Sequence, residues 1–333
     1  METKSKEIPY EDLQSPQHAD PESPDKSNGA LPIPALFRGI AKIPYLIWEF
    51  TESNFTTFVV PNTAFGMFGS LAASILAEGT YQPPPIINIV LLRLPLVTIF
   101  NWSNVLIFDL ANQRYPESIQ EDLINKPWRP IPSGKVTAEQ TRRAMLVAVP
   151  TVLALNYYLG VWKQGVFIQI LTWLYNDLRG GDEVTRDLII SVAYGMFNSA
   201  SLEIAVGNQV PISRQGITWT AIISGVILTT MQVQDLKDQA GDRTRGRKTV
   251  ALYLGEQTSR VTIAFFVCFW TVVCAVFWSL SPAAYVLPVV SGLNVALRVI
   301  LKRTASEDAA TWRWWCLWTM SLYLLPLSSV LHL

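Results

Sequence analysis

The chain has 333 residues, of which 50% are hydrophobic and only 16% are charged, and its mean hydropathy is positive. This composition excludes an ordinary soluble domain and is typical of a polytopic membrane protein. The formal net charge is zero, so the chain lacks the one-sided basic surface that nucleic-acid binding needs, and we exclude nucleic acid as a partner.

Residues 1–30 are polar, rich in Pro and Ser and poor in aliphatic side chains. Such a segment cannot bury enough apolar surface to offset its chain entropy, so we predict a disordered cytosolic tail followed by a membrane domain over residues 31–333. No basic stretch with a short apolar core opens the sequence, and we therefore expect no cleaved signal peptide.

Beyond the tail, successive apolar runs predict nine helices of the length that crosses a bilayer. Their predicted limits are 55–77, 86–108, 138–156, 157–175, 186–206, 213–234, 258–280, 282–301 and 311–331. The boundary between the third and fourth stays open, because residues 156–163 form either a turn or part of one long helix. The predicted fold class is an all-α, polytopic membrane helix bundle.

The distribution of Lys and Arg predicts the orientation of this bundle, because these residues favour cytosolic loops. With the N-terminus in the cytosol, most basic residues fall in inner loops, while the outer loops "AEGTYQPPP" and "SLSP" contain none. The two richest polar segments, 109–136 and 235–256, then lie at the cytosolic face. We expect them to cap a central cavity, in the endoplasmic reticulum or another internal membrane.

Cysteine and histidine do not form a metal-binding pattern. Cys268, Cys274 and Cys316 lie inside apolar runs without paired ligand spacing, and His18 and His332 lie near the ends of the chain. Any metal ion is therefore expected to be a hard cation held by oxygen atoms.

Three acids follow the sixth apolar run: Asp235, Asp238 and Asp242. Their spacing of i, i+3 and i+7 places all three on one face of a helix, where a bound cation relieves their mutual repulsion. Mg²⁺ suits such a site, and nearby bases hold the remaining charge of a diphosphate. The candidate bases in this segment are Lys237, Arg243, Arg247 and Lys248. The alternative is a solvated loop whose charges pair with one another.

Two motifs carry a resemblance to a known family. The chain contains "DLINKPWRPIPSG" from Asp122 and "DLKDQAGDRTRGRKTVALYLG" from Asp235. In these motifs it resembles the UbiA superfamily of intramembrane prenyltransferases, over about residues 50–330. The resemblance implies an isoprenoid diphosphate as substrate, Mg²⁺ as cofactor and contact with membrane lipid. It also adds Lys126 and Arg129 to the candidate phosphate-binding residues.

The first acidic motif departs from the family pattern N-D-x-x-D-x-x-x-D. Asp122 takes the place of the last Asp, but Ser118 stands where the family has an acid, and Asp109 lies much further upstream. An insertion between Asp109 and Asp122 is the simplest interpretation. The candidate polar groups of this segment, as metal or diphosphate ligands, are Asn104, Asp109, Glu121 and Asp122.

Other polar residues stand near the predicted mouth of the cavity. Asn54 either lines this mouth or caps a helix. Tyr175, Asn176 and Asp177 either make a third contribution to the site or form a helix end.

The first acidic segment resembles most the divergent fungal branch of the superfamily, which includes membrane-bound terpene cyclases. This likeness implies that the protein ionises farnesyl or geranylgeranyl diphosphate and cyclises the allylic cation. A prenyltransferase with an aromatic or quinone-like acceptor is the alternative within the superfamily. A transporter is the alternative from a different class.

Overall fold

The computed structural model describes residues 33–79, 85–207 and 210–331. The predicted tail over residues 1–30, together with His18 and His332, lies outside these ranges. The chain divides into two compact units, Met1–Ile43 and Pro44–Leu333, and the side-chain contacts and the cavity described below belong to the second.

The described residues form helices and no β-strand, as the predicted all-α class requires. The α-helices are α1 Ile33–Asn54, α2 Val60–Leu71, α3 Ala73–Leu76, α4 Ile86–Asn88, α5 Leu94–Gln113, α6 Pro116–Asn125, α7 Ala138–Tyr158, α8 Trp162–Asn176, α9 Arg186–Val206, α10 Arg214–Thr230, α11 Gln239–Arg245, α12 Val250–Tyr253, α13 Glu256–Trp278, α14 Val286–Leu301, α15 Ala305–Tyr323 and α16 Leu325–Val330. Two π-helical turns, Phe55–Val59 and Ile89–Arg93, join α1 to α2 and α4 to α5.

Five of the described helical segments are long and apolar enough to cross a membrane. They are Ile86–Gln113, Arg186–Val206, Arg214–Gln234, Glu256–Trp278 and Pro282–Leu301. Each coincides with a predicted span. The other four predicted spans also contain helix, but they do not combine this length with this hydropathy, so the count of nine stays a prediction.

The third and fourth predicted spans are separate helices. α7 ends at Tyr158 and α8 begins at Trp162, and Gly160 between them has a φ of 77°. Glycine adopts this left-handed conformation without the steric cost that a Cβ atom adds. Residues 156–163 therefore contain a turn between two helices and are not part of one long helix.

α9 is the most enclosed of the five apolar segments, and it packs against α2, α8 and α10. Its approach to α2 depends on Gly66, where an added Cβ would lie 2.5 Å from the carbonyl oxygen of Ser201. Small residues allow such close backbone contact between helices in a membrane. α9 therefore forms the centre around which the other helices are arranged.

A buried ion pair connects the last three long helices. The guanidinium of Arg260 in α13 donates to both carboxylate oxygens of Asp308 in α15, at 2.9 and 2.7 Å. It also donates to the carbonyl oxygens of Val299 and Lys302 at the end of α14. Because its hydrogen bonds are satisfied, this buried charge is compatible with an apolar surrounding.

Replacing Asp308 with Asn should destabilise the protein, because it leaves the buried Arg260 guanidinium without its counter-charge. We expect a loss of about 3 kcal/mol or more in the free energy of unfolding. Glu256→Gln removes an exposed partner of the same arginine and should cost about 1 kcal/mol or less. Thermal unfolding in detergent measures both, and equal losses would contradict the role assigned to the buried pair.

Candidate active site

A cavity of about 510 Å³ lies among the helices of the second unit. The apolar part of its wall contains Phe58, Val105, Phe108, Ile168, Leu171, Ile189 and Phe197. Along α5 and α8 the lining residues become polar toward the C-terminal end, and along α9 they are charged at the N-terminal end. The cavity therefore has one charged end, to which the segment after α10 also contributes, and apolar walls further along the helices.

Asp235, Asp238 and Asp242 all line this cavity, but they do not share one helix. A 3₁₀ turn over Met231–Gln234 follows α10, and the backbone N–H groups of Asp235 and Asp238 then bond to the carbonyl groups three residues earlier. α11 begins only at Gln239. The prediction of one continuous helix was wrong, because these tight turns bend the chain around the end of the cavity and bring the three side chains to its wall.

Arg186, at the start of α9, lines the cavity beside the second acidic segment. Its Nη1 lies 2.7 Å from Oδ2 of Asp235, and its Nε donates to the hydroxyl of Tyr175 at 3.1 Å. No hydrogen bond of its Nη2 joins it to another described residue. Burial raises the pKa of Asp235 to about 7, although the guanidinium opposes this shift.

The carboxyl group of Asp238 lies in the cavity wall outside the apolar spans. Burial alone would raise its pKa, but Lys126 at 3.9 Å and the adjacent Lys237 together lower the pKa to about 2. Asp238 is therefore fully ionised at neutral pH. The ammonium group of Lys237 also lies 4.7 Å from the ring centre of Trp312, which lines the cavity too.

The chain breaks between α5 and α6, as the proline in this segment predicts. α5 ends at Gln113, and Pro116 occupies the first turn of α6, where its missing N–H costs no hydrogen bond. Asp109 near the end of α5 lines the cavity, and its Oδ1 accepts a hydrogen bond of 2.6 Å from Asn54. Of the two interpretations of Asn54, the structure favours the one in which it lines the cavity.

The other acids of the first segment are paired with arginine. Asp122 is buried, and Nη1 of Arg129 lies 2.9 Å from both of its carboxylate oxygens. Glu121 accepts hydrogen bonds from Arg245 at 3.1 Å and from Arg247 at 3.0 Å. Glu121 and Arg129 line the cavity, whereas Asp122 does not.

Some predicted residues lie away from the cavity. Lys248 is half exposed and pairs with Glu183 at 2.7 Å, and Arg243 is exposed with its nearest partner at Gln239. The cavity also has polar residues that were not assigned from the sequence. These include Asn112, Asn125, Arg186, Gln234 and Arg313. An arginine at the start of an apolar helix resembles any basic residue of a cytosolic loop, so only the fold singles out Arg186.

The sequence offered the end of α8 as a third polar contribution to the site. Of the three polar residues there, only Tyr175 lines the cavity. Asn176 is buried behind it and accepts a hydrogen bond of 3.0 Å from Asn112, while Asp177 pairs with Arg114 at 2.6 Å. These two residues fix the end of α8 to the end of α5.

Asn104 is fully buried and belongs to a structural contact. Its amide exchanges two hydrogen bonds of 3.0 Å with the amide of Asn156 in α7, and Gln169 in α8 donates to it at 3.2 Å. Asn104 does not line the cavity. The structure thus places this predicted ligand of the diphosphate in a polar contact that joins three helices.

Asn104→Leu should lower stability and leave the binding of an unreactive isoprenoid diphosphate analogue unchanged. The loss of its interhelical hydrogen bonds should cost about 1 kcal/mol or more. Asn54→Leu, which removes an amide from the cavity wall, is the matched comparison and should weaken binding. Thermal unfolding and equilibrium binding distinguish the two variants, and weaker binding by a stable Asn104 variant would restore Asn104 as a ligand.

The residues of the cavity are compatible with a hard cation. No three acidic, histidine or cysteine side chains of the described residues form a metal site by themselves. However, the Oδ2 atoms of Asp109 and Asp242 are buried and lack a hydrogen-bond partner in the structure. Mg²⁺ needs only a few carboxylate oxygens, since water and phosphate oxygens complete its coordination. These side chains therefore fit a Mg²⁺ ion that binds together with a phosphate group.

The UbiA prenyltransferase family matches residues 63–318, and the chain belongs to this family. The resemblance drawn from the two motifs is thereby confirmed.

Two fungal relatives named for terpene formation are similar to this chain in sequence. The chain is 30% identical over 256 residues to the diterpene cyclase eriG of Hericium erinaceus. The matching region covers 74% of this chain and 77% of the relative. It is 26% identical to the fumagillin beta-trans-bergamotene synthase of Aspergillus fumigatus, over 69% and 78% of the two chains. The likeness to the fungal branch that includes cyclases is therefore confirmed.

A solved structure shares the fold. A UbiA homolog from Archaeoglobus fulgidus, bound to DMAPP and Mg²⁺, matches 86% of this chain and 99% of its own with a TM-score of 0.54. The two sequences are only 9% identical, so this likeness shows the fold alone.

Proposed function

We propose that the protein is a Mg²⁺-dependent terpene cyclase that acts on farnesyl or geranylgeranyl diphosphate. The observation that carries the proposal is one cavity with a charged end and apolar, aromatic walls, in a chain of the UbiA family. One of its fungal relatives is named a diterpene cyclase and another a beta-trans-bergamotene synthase. We further propose the nine-span topology, with the charged end of the cavity facing the cytosol, in the endoplasmic reticulum.

The charged end suits a diphosphate. We propose that Asp235, Asp238 and Asp242, with Asp109, hold Mg²⁺, which when bound supplies positive charge to the diphosphate oxygens. The basic side chains that line the same end are Lys126, Arg129, Arg186, Lys237 and Arg247. Their fixed positions allow charge-assisted hydrogen bonds to phosphate oxygens.

Ionisation follows from the same arrangement. As the C–O bond lengthens, its electron pair moves to the diphosphate, and the guanidinium and ammonium groups around it stabilise the growing negative charge. The low dielectric constant of the apolar wall strengthens this attraction. The product of this step is an allylic cation in the cavity and a diphosphate at its charged end.

The walls of the cavity then favour reaction of the cation with a double bond of the same isoprenoid molecule. Phe58, Phe108 and Phe197 line the cavity, and the rings of Phe58 and Phe197 meet edge to face with their centres 4.8 Å apart. Aromatic faces attract cations, and the surrounding apolar side chains exclude water. A distal double bond of a folded tail can therefore attack the cation, and transfer of a proton from the cyclised cation to an oxygen of the released diphosphate yields the hydrocarbon.

The prenyltransferase alternative keeps the first step and changes the second. The family description itself favours it, because UbiA members are described as prenyltransferases. An aromatic acceptor beside the cation would be alkylated before cyclisation. The transporter alternative finds no support in the family.

The direct test incubates membranes that contain the protein with Mg²⁺ and farnesyl or geranylgeranyl diphosphate, without an acceptor. We expect a cyclic terpene in the organic extract, and its loss in Asp235→Ala, because that variant removes a carboxylate from the cavity. Glu139→Gln, at an exposed carboxylate bonded to two arginines outside the cavity, is the control and should retain activity. Diphosphate release that requires an added aromatic acceptor would establish the prenyltransferase instead.

Arg186→Gln should slow the release of diphosphate, because it removes a buried cation from the charged end of the cavity. Loss of a charge-stabilising donor from an active site typically lowers kcat by about 100-fold. Initial rates at saturating substrate measure the effect. Arg142→Gln removes an exposed arginine and should retain the normal rate. A normal kcat for Arg186→Gln would exclude this residue from catalysis.

A further inference from the structure

We infer that the first acidic segment binds arginine instead of a metal ion, so that the complex with an isoprenoid diphosphate holds a single Mg²⁺. This inference rests on the proposed function. It concerns Glu121 and Asp122, which the motif resemblance would assign to a metal. It places the metal at the second acidic segment, with Asp109 as the only acid of the first segment considered as a ligand.

The Asp122 carboxylate is committed to a buried ion pair. Arg129 bonds to both of its oxygens, and the other terminal nitrogen of Arg129 donates to Ser53 at 2.9 Å. Asp122 does not reach the cavity wall, while its arginine does. Both oxygens of Asp122 are occupied in this way, whereas each acid of the second segment bonds to basic side chains through a single oxygen. A metal at Asp122 would therefore have to displace the buried guanidinium and leave it without a counter-charge, which is strongly unfavourable. Arg129 is thus the group that this carboxylate presents to the cavity.

Glu121 is also paired with arginine, and both of its arginines in turn contact Asp182. Asp182, which is buried outside the cavity wall, accepts a hydrogen bond of 2.7 Å from Nε of Arg245. Its Oδ1 also lies 3.5 Å from Nε of Arg247. The pairs of Glu121 are therefore part of a network that joins α6, the turn before α9, the end of α11 and the segment that follows it. The guanidinium groups cannot leave Glu121 without disrupting this network.

Ser118 is a further difference between the first acidic segment and the family pattern. The acid that the family pattern has at this position is replaced by a hydroxyl, which accepts a hydrogen bond of 2.7 Å from Arg245. The first segment thus lacks one of the carboxylates of the pattern, and two others are bonded to arginine. Asp109 differs from them, because its hydrogen-bond partner is the neutral amide of Asn54 and its Oδ2 has none in the structure.

The charge of the cavity wall agrees with one divalent ion. Among the described residues, five acidic and six basic side chains line the cavity, so the protein itself contributes no excess of negative charge. A diphosphate and one Mg²⁺ add charges that largely compensate each other. A second divalent ion would leave uncompensated positive charge in a partly buried site. Arginine can take the place of a second metal ion, because its planar N–H donors bind phosphate oxygens in a fixed geometry.

The test counts bound metal directly. Mn²⁺ replaces Mg²⁺ in a titration of the purified full chain, followed by electron paramagnetic resonance. The site is loaded in turn with unreactive S-thiolodiphosphate analogues of farnesyl and geranylgeranyl diphosphate. We expect one analogue-dependent Mn²⁺ per chain, and two would overturn the inference while leaving the proposed function in place. Failure to bind any Mn²⁺ with either analogue would contradict the proposed function and the inference together.

Paired variants assign the ion to one segment. Asp238→Asn should weaken Mn²⁺ binding by more than about tenfold, whereas Glu121→Gln and Asp122→Asn should retain a single ion with similar affinity. Two first-segment variants are used because Asp122→Asn also disturbs a buried ion pair and can impair folding. Glu139→Gln is again the control for folding and metal binding. Loss of the Mn²⁺ signal in a folded Glu121 or Asp122 variant would overturn the inference.

Discussion

The arrangement of the cavity depends on the cost of burying charge. Acidic and basic side chains are brought to the end of a cavity whose walls are otherwise apolar, and unpaired charges there would be strongly disfavoured. Each of Asp235, Asp238 and Asp242 therefore lies near a basic partner. The same requirement explains why arginine and lysine from distant parts of the chain converge on one end of the helix bundle.

This pairing is also suited to the proposed reaction. A site that already balances its own charge can accept a diphosphate with a metal ion and return to the same balance when both leave. The guanidinium groups are held in position by carboxylates, so they need little rearrangement as negative charge develops on the leaving group. The same side chains thus form structural ion pairs and stabilise the leaving group in the proposed reaction.

Sequence reasoning was most successful where function depends on local patterns. The second acidic motif led directly to Asp235, Asp238 and Asp242, and all three line the cavity. It was less successful where a residue's role depends on its neighbours in space. Asn104 was a candidate ligand of the diphosphate but packs against Asn156, and Arg186 matches no motif but lies in the cavity wall.

The sequence by itself determined the membrane class, the helical fold and the family, because hydropathy, helix length and motif spacing are properties of residues that are close in the chain. Only the tertiary structure decided which polar and charged side chains meet. Asn54 and Asp109 are 55 residues apart, and Arg245 and Glu121 are 124 residues apart. Such contacts depend on how packed helices orient their side chains, and the spacing of residues along the chain does not encode that orientation.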